Sequence, residues 1–376
     1  MSRVRRAAIA GAAIAALGAC SLFGPTRTPP DPLPVPSNAV RIVPAWNASL
    51  GGRSGIGFAP VAIGDSVWAA AQDGTVARLN LDTGQPVWRV SVGKPLTAGV
   101  GTDGATTVVA ARDGTVIALD EQGRTRWTAP ANGEVVTAPA VADGVVLVRT
   151  TDNRVLAFEA DSGRRRWAFQ RQNPPLVLRN SGGVAMIPGA AFVGMPGGRL
   201  VALALQNGAP RWDVPLSQPR GTTELERIAD VVGSPLIIGR ELCAATYQGR
   251  IGCVDLASGA PVWLRDFSSA VGLDVDMRGV VAPDANDVVF ALDRSGAPGW
   301  QAKAFQRRRL SAPLIVGSVV ALGDLEGNVL WLSRTDGTLA AVTRTDGKPI
   351  VAPPAAVGAL LVVQTSGGGL YAFRTP

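Results

Sequence analysis

Few residues in this chain have the types and spacing that chemistry requires. Its 376 residues include no His, which removes His acid–base catalysis, Ser-His-Asp triads and His-ligated zinc or haem. Of the three Cys, Cys20 lies near the start, and Cys243 and Cys253 flank the turn at 247–250. If that turn sets the two directly opposite, a cross-strand disulfide is possible; a one-residue slip in register puts them on opposite faces as free thiols. Carboxylates cluster at Glu224, Glu226 and Asp230, and again at Asp274 and Asp276. Neither run alone offers the roughly six to eight oxygens of a calcium cage. Most other Asp residues occupy turns, where backbone hydrogen bonding explains them. The residues therefore suggest no catalytic site, no metal site and no cofactor.

The elements that position these residues follow from composition and periodicity. The chain is 47% hydrophobic and 17% charged, with 45 Gly and 28 Pro, a balance that favours many short strands joined by turns over long helices. Its formal charge of +7 falls to +4 once Arg3, Arg5 and Arg6 leave with the leader discussed below. That excess is mild and dispersed, so no nucleic-acid footprint is expected.

Eight segments share a tight-turn position followed by alternating apolar residues. They include Asp73-Gly74-Thr75-Val76, Asp113-Gly114-Thr115-Val116, Glu326-Gly327-Asn328-Val329 and Gly367-Gly368-Gly369-Leu370. The period of about 40 residues, with room for four short strands per unit, predicts an all-β, eight-bladed β-propeller of four-stranded antiparallel blades. Trp88, Trp127, Trp167, Trp212, Trp263 and Trp300 recur on the expected outer strands. Turns such as Asp82-Thr83-Gly84…Trp88 and Asp161-Ser162-Gly163…Trp167 resemble the tryptophan-docking motif of pyrroloquinoline-quinone-like repeats. The seventh unit lacks its Trp and the eighth stops early, yet Trp46 sits in the right context near the start. An N-terminal strand is therefore expected to close the last blade.

Two intervals break the period: Trp167 to Trp212 and Trp212 to Trp263 span 45 and 51 residues. The excess lies in 171–180 and 221–230. In repeat proteins such insertions often form the binding face. Leu176 and Leu178 would share one side of an extended loop ending in Arg179, with Arg179 pairing to Asp230 or Glu226 in the next insertion. An apolar pair rimmed by Arg suits a protein contact.

The start of the chain reads as a leader. A basic n-region and a short apolar stretch lead to Leu17-Gly18-Ala19-Cys20, which resembles the lipobox of bacterial lipoproteins. That resemblance implies cleavage before Cys20 and its lipidation, with Ser21 favouring the outer membrane. The expected division is a signal peptide at 1–19, lipidated Cys20 with a Pro-rich tether over 20–37, and the propeller over 38–376.

Lipobox, tether, repeats and the two insertions together resemble the BamB family, lipoproteins of the outer-membrane β-barrel assembly (BAM) machinery. The resemblance implies a non-catalytic scaffold, lipid-anchored at the periplasmic face of the outer membrane. It would bind the POTRA domains of BamA and assist delivery and insertion of unfolded outer-membrane clients. It also implies that Leu176, Leu178, Arg179 and Asp230 meet BamA. Two positions depart from the family pattern: Asn180 replaces a Gly, and Val232 replaces a second acidic residue, which Val232→Asp would restore. The competing classes are a quinone-dependent dehydrogenase-like enzyme and a propeller binding a small ligand or glycan in its channel.

Overall fold

A computed structural model describes residues 28–37, 40–172, 174–179 and 182–375. The leader 1–19, Cys20 and Asn180 lie outside the described residues. Among the described residues, thirty-two strands form eight four-stranded antiparallel sheets. Seven sheets use consecutive strands: blades 1 to 7 span 61–91, 96–130, 140–170, 184–215, 231–267, 274–302 and 314–344. Blade 8 takes three strands from the end of the chain and its outer strand, Val43–Ser49, from the start.

Middle strands such as Thr107–Ala111 and Val145–Arg149 are buried at every position. They carry near-continuous apolar runs because a neighbouring blade covers each face. Outer strands alternate instead: Arg165–Gln170 buries Trp167 and exposes the residues on either side of it. Eight apolar clusters form the core, each filling the gap between consecutive blades. The cluster joining Val67 and Leu79 of blade 1 to Val362 and Leu370 of blade 8 completes the ring.

Each outer-strand Trp docks on the next blade. The indole N–H of Trp88 donates to Glu121 O at 2.8 Å, Trp127 to Ala160 O at 2.8 Å, and Trp167 to Leu205 O at 2.9 Å. The indole face lies under the glycine of that blade's last turn. A Cβ built on Gly163, at φ +71°, would stand 2.6 Å from the Trp127 ring, so only glycine fits this turn. Trp46 docks the same way, donating to Leu81 O at 2.7 Å beneath Gly84. The strand carrying it pairs with Gly369–Arg374, with Trp46 opposite Ala372. The closing strand is where the sequence places it.

The seventh blade shows why its Trp is missing. A Trp there would need the turn between the last two strands of blade 8, and that turn is where the chain's two ends part. Blade 7 exchanges the cross-strand pair instead. Blades 2 to 4 set the docking Trp opposite Ala118, Ala157 or Ala202, but here Trp331 faces Ala341. Trp331 is fully buried and meets Phe373 of blade 8 edge-on, with centroids 5.9 Å apart. Val40 and Ile42 pack against the same cluster.

The Pro-rich segment departs from the free spacer expected up to residue 37. Asp31 pairs with Arg307, Leu33 packs on the cluster between blades 6 and 7, and Ser37 N donates to Leu339 O at 2.9 Å. An acid and a Leu among the prolines give the segment specific partners on the ring.

Replacing Trp46 by Ala is expected to cost about 3 kcal/mol in urea titration. Ala341→Trp restores the repeat pattern, yet it is expected to destabilise by roughly 1–3 kcal/mol because Trp331 already fills the space. Combining it with Trp331→Ala should recover part of that loss.

Candidate partner-binding surface

The two insertions connect outer strands to the next inner strands, so they lie at the same end of the ring. The first leaves blade 3 and enters blade 4; the second leaves blade 4 and enters blade 5. Asp230 joins them. Its carboxylate accepts Leu178 N at 2.6 Å and Gly197 N at 2.9 Å, and its carbonyl accepts Tyr247 N at 2.9 Å. One side chain thereby ties the first insertion, a blade 4 hairpin and the start of blade 5 together. Asp230 is only 1% exposed. Burial pushes its carboxyl above the usual range, against the two backbone hydrogen bonds and the charge of Arg149. Arg149 is buried too, its pKa lowered to about 10 by desolvation, and donates to Gly182 O at 3.0 Å.

The expected pairing of Arg179 with Asp230 or Glu226 does not occur. Arg179 pairs with Glu134, on the connector between blades 2 and 3. Both expected acceptors are engaged elsewhere. Asp230 holds backbone N–H groups, and Glu226 accepts Thr222 N at 2.8 Å and Thr223 N at 3.1 Å, bonds that lower its pKa. Thr223 Oγ1 in turn accepts Glu226 N at 3.3 Å. This Thr-x-x-Glu reciprocity is a capping box, readable in the sequence, and it stiffens a tight turn presenting Leu225 at 67% exposure.

The two leucines of the first insertion also separate. Leu176 is 46% exposed, whereas Leu178 packs against the cluster between blades 5 and 6. The exposed apolar pair across the insertions is thus Leu176 and Leu225. Val232 is 3% exposed within that cluster, so it does not offer the surface at which an acidic residue was expected to help.

Cys243 and Cys253 are directly opposed, 4.0 Å apart at Cα, and bonded. The second acidic run is structural. Asp274 accepts Ile315 N at 2.6 Å, bridging blades 6 and 7, and burial pushes its carboxyl up. Asp276 pairs with the buried Arg334 at 2.6 Å.

Comparison with known proteins then decides the family. The family model described as outer membrane protein assembly factor BamB matches residues 72–302. The chain belongs to the BamB family. A curated relative, outer membrane protein assembly factor BamB from Bordetella pertussis, is 43% identical over 377 residues, covering 99% of this chain and 97% of its own. The crystal structure of BamB from Moraxella catarrhalis superposes with a TM-score of 0.82 at 23% identity, covering 89% of this chain and 100% of that one. A quinohemoprotein alcohol dehydrogenase from Pseudomonas putida HK5 also superposes, with a TM-score of 0.71 at 13% identity over 91% of this chain and 78% of that one. That likeness is one of fold alone. The eight-bladed propeller read from the repeats is the architecture of this BamB-family chain.

Asp230→Asn keeps the shape but replaces an acceptor with a donor, leaving Leu178 N or Gly197 N unpaired. It is expected to cost about 1–3 kcal/mol and to speed hydrogen exchange at the Leu178 amide. Val232→Asp, which buries a carboxylate in the core, should lower the melting temperature more than Asp230→Asn does.

Proposed function

We propose that this protein works as a non-catalytic subunit of the outer-membrane protein assembly machinery. Its BamB-family membership supports that role. In the finer reading, Leu176, Arg179 and Leu225 dock the POTRA domains of BamA, while unfolded β-barrel clients pass to the machinery beside the propeller. Cys20 carries the lipid that holds the protein at the periplasmic face of the outer membrane. Several acyl chains on one residue would anchor it stably, where one would be marginal.

The observation that carries the docking reading is the Asp230 tie. It fixes two insertions from different blades in one arrangement, so Leu176 and Leu225 stand exposed at the same end of the ring, where Arg179, paired with Glu134, is exposed as well. Preordered apolar and Arg anchors lose little entropy on binding. Asp230 itself is assigned a positioning role, and Leu178 anchors its own loop. The dehydrogenase alternative finds no support in the clustered carboxylates, since Asp230, Asp274 and Asp276 each hold backbone N–H groups or an Arg.

Binding of the purified BamA periplasmic region tests this. Arg179→Glu, or Leu176→Ser with Leu225→Ser, is expected to weaken affinity more than tenfold at an unchanged melting temperature. Leu178→Ser should lower both affinity and melting temperature. Met277→Ser, 78% exposed at the opposite end of the ring, should change neither. Wild-type affinity in both the Arg179 and double-Leu variants would move the interface elsewhere. In cells, Cys20→Ser should release the protein from the outer-membrane fraction.

A further inference from the structure

The Pro-rich segment crosses the full height of blade 7. At one end, Asp31 N donates to Gln306 O at 3.3 Å, Arg307 Nε donates to Pro29 O at 3.1 Å, and Arg308 donates to Asp31 O at 2.5 Å. Arg308 is buried and held by Asp324 at 2.7 Å and Glu326 at 2.9 Å. These arginines sit on the connector from blade 6 to blade 7, which lies at the same end of the ring as the two insertions. At the other end, Ser37 meets Leu339, where the outer strand Leu339–Arg344 begins. Six residues of polyproline II rise about 19 Å, close to the roughly 20 Å of a six-residue strand. Leu33, midway, packs on the core cluster between blades 6 and 7.

We infer that residues 29–37 are a strap that sets which end of the propeller faces the lipid surface. This rests on the Cys20 anchor proposed above. The strap ends at the connector end of blades 6 and 7, and only seven residues, eight chain steps, separate Thr28 from Cys20. Fully extended, they reach about 28 Å. The tether thus leaves the ring at the connector end of blade 7, which favours that end over the one bearing the Gly337 turn as the end nearest the bilayer. The surface around Leu176 and Leu225 shares the membrane-proximal end, so a partner docked there occupies the space between propeller and membrane. A tether free up to residue 37 would impose no such orientation, because either end could turn toward the lipid.

The test uses the full lipidated protein on vesicles containing acceptor-labelled lipid. The Cys243–Cys253 pair and the lipidated Cys20 leave a single introduced cysteine free for a donor dye. Lys348→Cys places it at the connector end of blade 7 and Thr335→Cys at the opposite end. Energy transfer is expected to be stronger from position 348 than from 335. Releasing the strap with Asp31→Ala and Leu33→Ser should abolish that difference while the protein stays bound. Equal transfer from both positions in the strapped protein, or a difference that survives release, would overturn the inference. Failure to bind vesicles at all would instead refute the Cys20 anchor. The strap is then judged by hydrogen exchange, since the Asp31 and Ser37 amides are protected only if the segment is bound.

Discussion

The ring is held by one repeated interaction, an indole lying beneath the glycine turn of the next blade. It joins a large apolar face, an indole N–H that finds a carbonyl in every copy but Trp263, and a backbone conformation open only to glycine, so it fixes both spacing and rotation between neighbours. Everything at the connector end inherits its position from that geometry. The rule also explains its own exception. An indole needs an intact turn ahead of it, and a ring made from one linear chain must interrupt one turn. At that place Trp331 moves the bulk one strand inward, while Val40 and Ile42 of the incoming chain add to the packing.

The acidic residues follow a second pattern. Carboxylates that look available for catalysis act as acceptors for backbone N–H groups that the propeller leaves at its seams. Asp230 ties blades 4 and 5 to the first insertion, and Asp274 ties blade 6 to blade 7. A buried carboxylate is costly unless its oxygens are hydrogen-bonded. Each of these is, and each thereby adds direction to a seam otherwise closed by nondirectional packing. Fold and site are thus built from the same parts, and the proposed docking surface is a local elaboration of a seam.

Much of this was legible in the sequence because it is local and periodic. Turn glycines, phased Trp residues and the displaced Trp46 report on neighbours a fixed distance along the chain, and the two long intervals marked where the ring is decorated. The Thr-x-x-Glu spacing of Thr223 and Glu226 is equally local and went unread, while the exposure of Leu225 emerges only from the structure. Other features depend on contacts between distant segments. Arg179 finds Glu134 because nearer acids are already satisfied, which alternation along one loop does not reveal. Leu178 turns inward because Asp230 grips its amide. The proline-rich segment has the composition of a spacer, and its side-chain contacts through Asp31 and Leu33 acquire meaning only once Arg307 and the cluster between blades 6 and 7 are in place.

Closure by the first strand has a kinetic side. Residues 43–49 are among the first of the propeller to be synthesised, and their partners at 369–374 are the last. No blade order shortens that separation, so the earliest strand must wait, unpaired, until the rest of the chain arrives. Contacts this remote in sequence slow folding and leave strand edges exposed meanwhile. A protein proposed to assist β-barrel assembly therefore passes through the same hazard itself, and its ring becomes cooperative only when its two ends meet.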